Sequence, residues 1–230
     1  MPLFDPMYLV FMLPGLLLAM WAQHRVKSAY AEGSRIAAMS GLTGAATAQR
    51  ILDRFGIRDV RIEGIQSMLG DHYDPRAKVL RLSPDVYSGR SLAALGIAAH
   101  EVGHAIQHAT QYGPLALRSG FLPVAAFGSQ FAFAFILGGL LLAPFRWLAW
   151  VGVALFAATV LFQLVTLPVE FDASRRAREI LLSSGMVAPT EDAIVGRVLN
   201  AAALTYVAAA VTAILQLLYF ASLVSGRRNN

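Results

Sequence analysis

Ala98-Ala99-His100-Glu101-Val102-Gly103-His104-Ala105-Ile106 is an H-E-x-x-H motif set among apolar and small residues. Residues four apart on a helix share a face, so His100 and His104 can direct two imidazole nitrogens at one Zn²⁺, with Glu101 beside them as a general base. The competing reading is two packed histidines on a soluble helix.

A zinc ion that activates water needs three protein ligands and one open position. The chain has no cysteine, so the third ligand must be His, Asp or Glu. His108 shares the face of His100 and His104, but on a continuous helix it lies about 12 Å along the axis from His100, too far for one ion. The zincin pattern with a third histidine, H-E-x-x-H-x-x-G-x-x-H, breaks its helix at a glycine, and the first glycine after His104 is Gly113. His108 is therefore read as an outer or packed residue.

With 57% hydrophobic and 14% charged residues and a mean hydropathy of +0.56, the 230-residue chain reads as a membrane protein. Its formal charge of +5 comes without a basic run interleaved with aromatics, which argues against nucleic acid as a partner and for a lipid bilayer. Met7 to Ala22 is a first apolar run. Asp5 precedes it and His24, Arg25, Lys27 and Arg35 follow, the charge order of an uncleaved anchor with its N-terminus outside rather than of a cleaved signal peptide.

Phe121 to Ala143 and Trp147 to about Val169, joined by Pro144-Phe145-Arg146, read as a transmembrane hairpin, and Asn200 to Val224 as the last span. The tail from Gly226 to Asn230 is expected to be disordered. Four spans starting outside place residues 23–119 and 169–199 on one side, and these hold 16 of the 19 Lys and Arg, so that side is the cytoplasm; Arg227 and Arg228 fall outside. The expected fold is a mainly α membrane protein of about four transmembrane helices with a small cytoplasmic α+β zincin-like metallopeptidase domain. Its parts are an anchor (1–24), the zincin-like domain (25–119), the hairpin (120–168), a cytoplasmic helical segment (169–199), and a last transmembrane helix with its tail (200–230).

Within the polar part, Ser40-Gly41-Leu42-Thr43-Gly44 reads as a loop and N-cap before a helix through Ala45 to Phe55, stopped by Gly56. Val60 to Ile62 is a short strand. His72-Tyr73-Asp74-Pro75-Arg76 reads as a turn leading to a second strand, Lys78 to Leu82, and Ser83-Pro84-Asp85 as another turn. Ser91 caps the motif helix, expected to reach about Gln111 and to end at Gly113-Pro114. An edge strand beside such a helix can bind an extended peptide by backbone pairing.

The hairpin returns Glu170 to the side of the bilayer that holds His100, and His, His, Glu is an established catalytic zinc set. Asp172 is the alternative. The two point about 200° apart on a helix, so only one can face the metal, and Glu170 shares its face with the small residues Ala173, Ser174 and Ala177, which allow close approach to the motif helix.

Several stretches together resemble the YugP-type membrane-bound neutral zinc metallopeptidases, relatives of the H-E-x-x-H gluzincins such as the HtpX-like membrane proteases. They are Ser40-Gly41-Leu42-Thr43-Gly44, Asp71-His72-Tyr73-Asp74-Pro75-Arg76, the run from Gly89 to His108, Leu164 to Phe171, Ala173-Ser174-Arg175-Arg176-Ala177, and Leu199 to Tyr206. The HtpX-like pattern E-F/Y-x-A-D maps its glutamate ligand onto Glu170, with Ser174 in place of its final aspartate.

Arg175, Arg176, His72, Tyr73 and Tyr206 are the candidates to stabilise an oxyanion, and the sequence does not choose among them. The expected activity is that of an integral-membrane zinc endopeptidase at the cytoplasmic membrane surface, acting on membrane-associated or unfolded segments, with His100, His104 and Glu170 as ligands and Glu101 as base. The rival from another class is a membrane scaffold or assembly factor that keeps the fold without turning over peptides.

Overall fold

Thr43 and Ser91 each cap a helix with the side chain, as their place before apolar runs predicts: Thr43 Oγ1 accepts from the Ala46 N–H at 3.1 Å and Ser91 Oγ from the Ala94 N–H at 3.2 Å. The computed structural model describes residues 6–67 and 70–226. Its helices are α1 (Pro6–Ser34), α2 (Gly44–Arg54), α3 (Pro84–Tyr87), α4 (Leu92–Ala109), α5 (Gly113–Leu141), α6 (Trp147–Ser183) and α7 (Pro189–Gly226); its strands are β1 (Arg61–Gly64), β2 (His72–Asp74) and β3 (Val79–Leu82). The expected disordered tail lies outside the described residues from Arg227 onward, and Gly226 is the last residue of α7.

The chain divides into two compact units. The first comprises the described parts of Met1–Ala22, Ala116–Leu167 and Thr205–Asn230. Helices α1, α5, α6 and α7 are each long and apolar enough to cross a membrane. Leu9, Leu16, Leu17, Phe133, Leu141 and Trp147 are among the large apolar side chains that this unit exposes, a surface suited to lipid and not to water. Its core packs Ile136, Phe156, Val160, Tyr219 and Phe220, and glycines let its helices touch: a Cβ on Gly128 would lie 2.3 Å from the Leu155 carbonyl oxygen.

The second unit comprises Gln23–Leu115 and Pro168–Leu204. Its core is built on Ile51, Leu52, Leu80, Leu82, Leu95 and Ile106, all fully buried. The sheet order is β1-β3-β2, with β1 parallel and β2 antiparallel to β3. His72 and Tyr73 therefore belong to an edge strand, which corrects the reading of them as turn residues. The turn comes later: Asp74 Oδ1 accepts from the Arg76 and Ala77 amides and Lys78 closes the hairpin at φ 51°. Ser83-Pro84-Asp85, read as a turn, starts the short helix α3.

The α4 helix ends at Ala109, before the Gly113-Pro114 stop that the sequence suggests. Gln111 adopts φ 52°, its N–H reaches the His108 carbonyl and the Tyr112 N–H reaches the Gln107 carbonyl, so a glutamine supplies the left-handed ending usually left to glycine. Gly113-Pro114 opens α5 instead. The third span and the first part of the segment expected at 169–199 are one helix, α6, running through Pro168, and the end of that segment and the last span are likewise one helix, α7. At the start of α7, Glu191 Oε2 accepts from the Ala188 N–H at 2.8 Å and Oε1 from the Met39 N–H at 2.8 Å, which ties the loop after α1 to this helix.

Candidate active site

Helix α4 presents two neighbouring stripes to two different partners. His100, His104 and Gln107 face α6, and Glu101 and His108 face strand β2. On the first stripe, the His100 and His104 Nε2 atoms lie 3.3 and 3.6 Å from Glu170 Oε2. One ligand atom from each of the three residues lies within 4.8 Å of the other two, a spacing that could hold a metal ion. Glu170 is fully buried, whereas the His100 and His104 side chains keep 14% and 12% of their surface, so one side of the group is open.

Gly103 makes the approach of α6 possible. A Cβ there would stand 2.9 Å from the Ala173 carbonyl oxygen and 3.2 Å from the Ala173 Cα, and Ala173 and Ala177 are themselves fully buried. The small face expected around Glu170 is thus the face that meets α4.

The residues suit a divalent cation by the chemistry of their ligand atoms. Gln107 Nε2 donates to the Val169 carbonyl at 2.8 Å and to Asp172 Oδ2 at 2.9 Å, which leaves Oε1 as the group facing His104 Nδ1 at 3.0 Å. An amide oxygen only accepts, so Nδ1 carries a proton, and in the neutral ring Nε2 is the nitrogen left to meet a cation shared with Glu170. Ser174 Oγ sits 3.1 Å from His100 Nδ1 and can do the same for that ring. Burial works to lower the His104 pKa, but Glu170, Glu101 and Gln107 reverse it and hold it above its ordinary value, so the site favours positive charge.

On the second stripe, the Tyr73 N–H donates to Glu101 Oε2 at 3.1 Å and the Tyr73 hydroxyl lies 2.9 Å from His108 Nδ1. His108 is thus packed on β2, away from the His100, His104, Glu170 group. Asp172, the alternative to Glu170, is committed to Gln107, Arg175 and Arg176.

Among the oxyanion candidates, Arg175 pairs with Asp172 and Glu179, and Arg176 pairs with Asp172 and stacks over Tyr112. His72 is exposed, with Nδ1 2.7 Å from the Gly70 carbonyl oxygen. Tyr206 belongs to the first unit. The residue that sequence reasoning missed is Gln107, whose one signal is its place three positions after His104.

Two comparisons with known proteins bear on this geometry. Residues 8–225 match the family model described as "Putative neutral zinc metallopeptidase". The chain is 50% identical over 214 residues, 93% of its own length and 95% of the relative's, to the protein of Bacillus subtilis (strain 168) named "Putative membrane protease YugP". No solved structure matches the chain. A match over nearly the whole length, to a family whose description implies zinc, meets a fold whose His-His-Glu group is spaced for a metal: the chain belongs to the neutral zinc metallopeptidase family represented by that Bacillus protein.

Proposed function

We propose that the chain is an integral-membrane zinc-dependent endopeptidase that hydrolyses peptide bonds at the cytoplasmic membrane surface, with His100, His104 and Glu170 as zinc ligands and Glu101 as general base. The observation that carries this reading is the convergence of two histidine Nε2 atoms on one buried carboxylate oxygen, with each Nδ1 atom backed by a polar side chain. When bound, zinc supplies Lewis-acid polarisation of a scissile carbonyl and a water whose pKa is lowered toward about 7. With the metal in place, Glu101 would serve as general base, holding the proton taken from the attacking water and returning it to the leaving amine. Its Oε2 is occupied by the Tyr73 amide and no described residue donates to its Oε1, so Oε1 is the atom for the transfer.

Strand β2 pairs with β3 on one side, and among the described residues no strand pairs with the other. An extended segment can add there, which favours unfolded or membrane-associated peptides as substrates. The name of the Bacillus relative, a membrane protease, supports peptide hydrolysis by a membrane-bound enzyme. The concentration of Lys and Arg in residues 23–119 and 169–199 supports cytoplasmic exposure.

The test is zinc analysis of the purified protein beside its Glu101→Gln variant, followed by a peptide-cleavage assay on both. About one zinc per chain in each, with cleavage by the wild type alone, is the expected result. Zinc in both with cleavage by neither assigns the chain to the non-proteolytic scaffold class.

A further inference from the structure

Glu101 and His108 lie seven positions apart on α4, two turns along one stripe, and a single residue of β2 reaches both. The Tyr73 N–H holds Glu101 Oε2 at 3.1 Å, the Tyr73 hydroxyl lies 2.9 Å from His108 Nδ1, and the two rings meet obliquely with centroids 5.9 Å apart. Burial, followed by the charges of Asp59 and Asp74, pushes the Tyr73 phenol up to about 12. It therefore stays protonated over the physiological range and can donate to the imidazole.

Strand β2 has three residues and, among the described residues, pairs with β3 alone, so few ladder bonds fix its position against α4. Tyr73 and His108 are both only partly buried, and neither contributes the bulk of the core, which lies on Leu80, Leu82, Leu95 and Ile106. Their contact nevertheless ties the middle of the edge strand to the helix that carries Glu101.

We propose that Tyr73 and His108 are positioning residues for the reaction: their side-chain contact fixes β2 so that the Tyr73 amide holds one oxygen of Glu101 and leaves the other for proton transfer. The inference rests on the reading of Glu101 as the base. A carboxylate released from the amide samples several rotamers, and only some of them present an oxygen to the water, so the loss falls on turnover and not on substrate binding.

The experiment uses the full chain in detergent, by hydrogen exchange and by steady-state kinetics on a peptide substrate. Tyr73→Phe keeps the ring and removes the hydroxyl. It should speed exchange of the residue-73 amide about tenfold in both zinc-free and zinc-loaded protein, and lower kcat about three- to tenfold with KM and zinc affinity unchanged. His108→Ala should do the same, and the double variant should be no worse than either single one. His108→Gln, whose amide oxygen can accept the phenol proton, should recover part of the loss.

A wild-type exchange rate and kcat in Tyr73→Phe, a loss confined to KM, or additive single effects would overturn the proposal. Should one variant fold poorly, the other still decides, because each removes one half of the same contact. A wild-type protein that cleaves nothing fails the peptidase reading, and the catalytic role of the contact with it. Wild-type exchange in Tyr73→Phe beside an active parent enzyme fails this proposal alone.

Discussion

Gln107 Oε1 stands 3.0 Å from Nδ1 of His104, one turn earlier on α4, because the two protons of its Nε2 are committed to the Val169 carbonyl and to Asp172. A fully buried amide thus reads the backbone of α6 and imposes a tautomer on a histidine of α4. Gln107→Ala should lower zinc affinity by about 10- to 100-fold, the usual cost of losing a histidine's supporting partner. It should also lower stability by about 0.5–1.5 kcal/mol for each buried hydrogen bond lost, those to the Val169 carbonyl and to Asp172. Zinc competition titration and thermal melting check the two effects, and unchanged zinc affinity would remove Gln107 from the site.

Gly103→Ala sets helix propensity against packing. An alanine in a helix interior is worth about 1 kcal/mol over glycine, so propensity alone predicts a more stable protein. The new Cβ, however, would stand 2.9 Å from the Ala173 carbonyl oxygen, and that neighbour is backbone that cannot rotate away. Overpacking of this kind costs about 1–3 kcal/mol, so the net change should be a lower melting temperature, together with weaker zinc binding as α6 is displaced from α4. A melting temperature above wild type would show that the helices separate at no cost.

Glu170 and Asp172 are two residues apart, and the structure gives them separate tasks. Glu170 meets the two histidines, and Asp172 braces Gln107 and two arginines. Glu170→Ala should abolish zinc retention to the same degree as His100→Ala or His104→Ala, because two ligands do not hold the ion. Asp172→Ala should cost far less, since the Val169 carbonyl still orients Gln107. Metal analysis after extensive dialysis distinguishes them, and equal losses would place Asp172 on the metal.

How much of this was legible depended on how local each signal is. His100, Glu101 and His104 announce themselves within five residues, and Glu170 could be selected by topology and by the small residues sharing its face. Gln107 could not, because glutamine is an ordinary helix residue and its role exists only where α6 brings the Val169 carbonyl beside it. Strand β2 was hidden for a related reason: three residues, His72 to Asp74, show no usable alternation, and the Asp74-Pro75 pair at their end signals a turn. Charged residues after Pro168 suggested a helix boundary, yet α6 continues through it, as helices can when a proline's missing bond is offset by packing.

The absence of cysteine makes the orientation directly testable, because single cysteines placed at Ser88, Arg146 and Thr190 would be the chain's only thiols. All three positions are exposed, and none belongs to the candidate site. If α5 and α6 cross the bilayer out and back, positions 88 and 190 lie on one side and position 146 on the other. The positive-inside rule makes the shared side cytoplasmic. A membrane-impermeant thiol reagent should therefore label Arg146→Cys in intact cells, and label Ser88→Cys and Thr190→Cys only in inside-out vesicles. Labelling of positions 88 and 190 from opposite sides would break the argument that brings Glu170 back beside His100. Labelling of both from outside would keep the site intact and move the chemistry to the outer face.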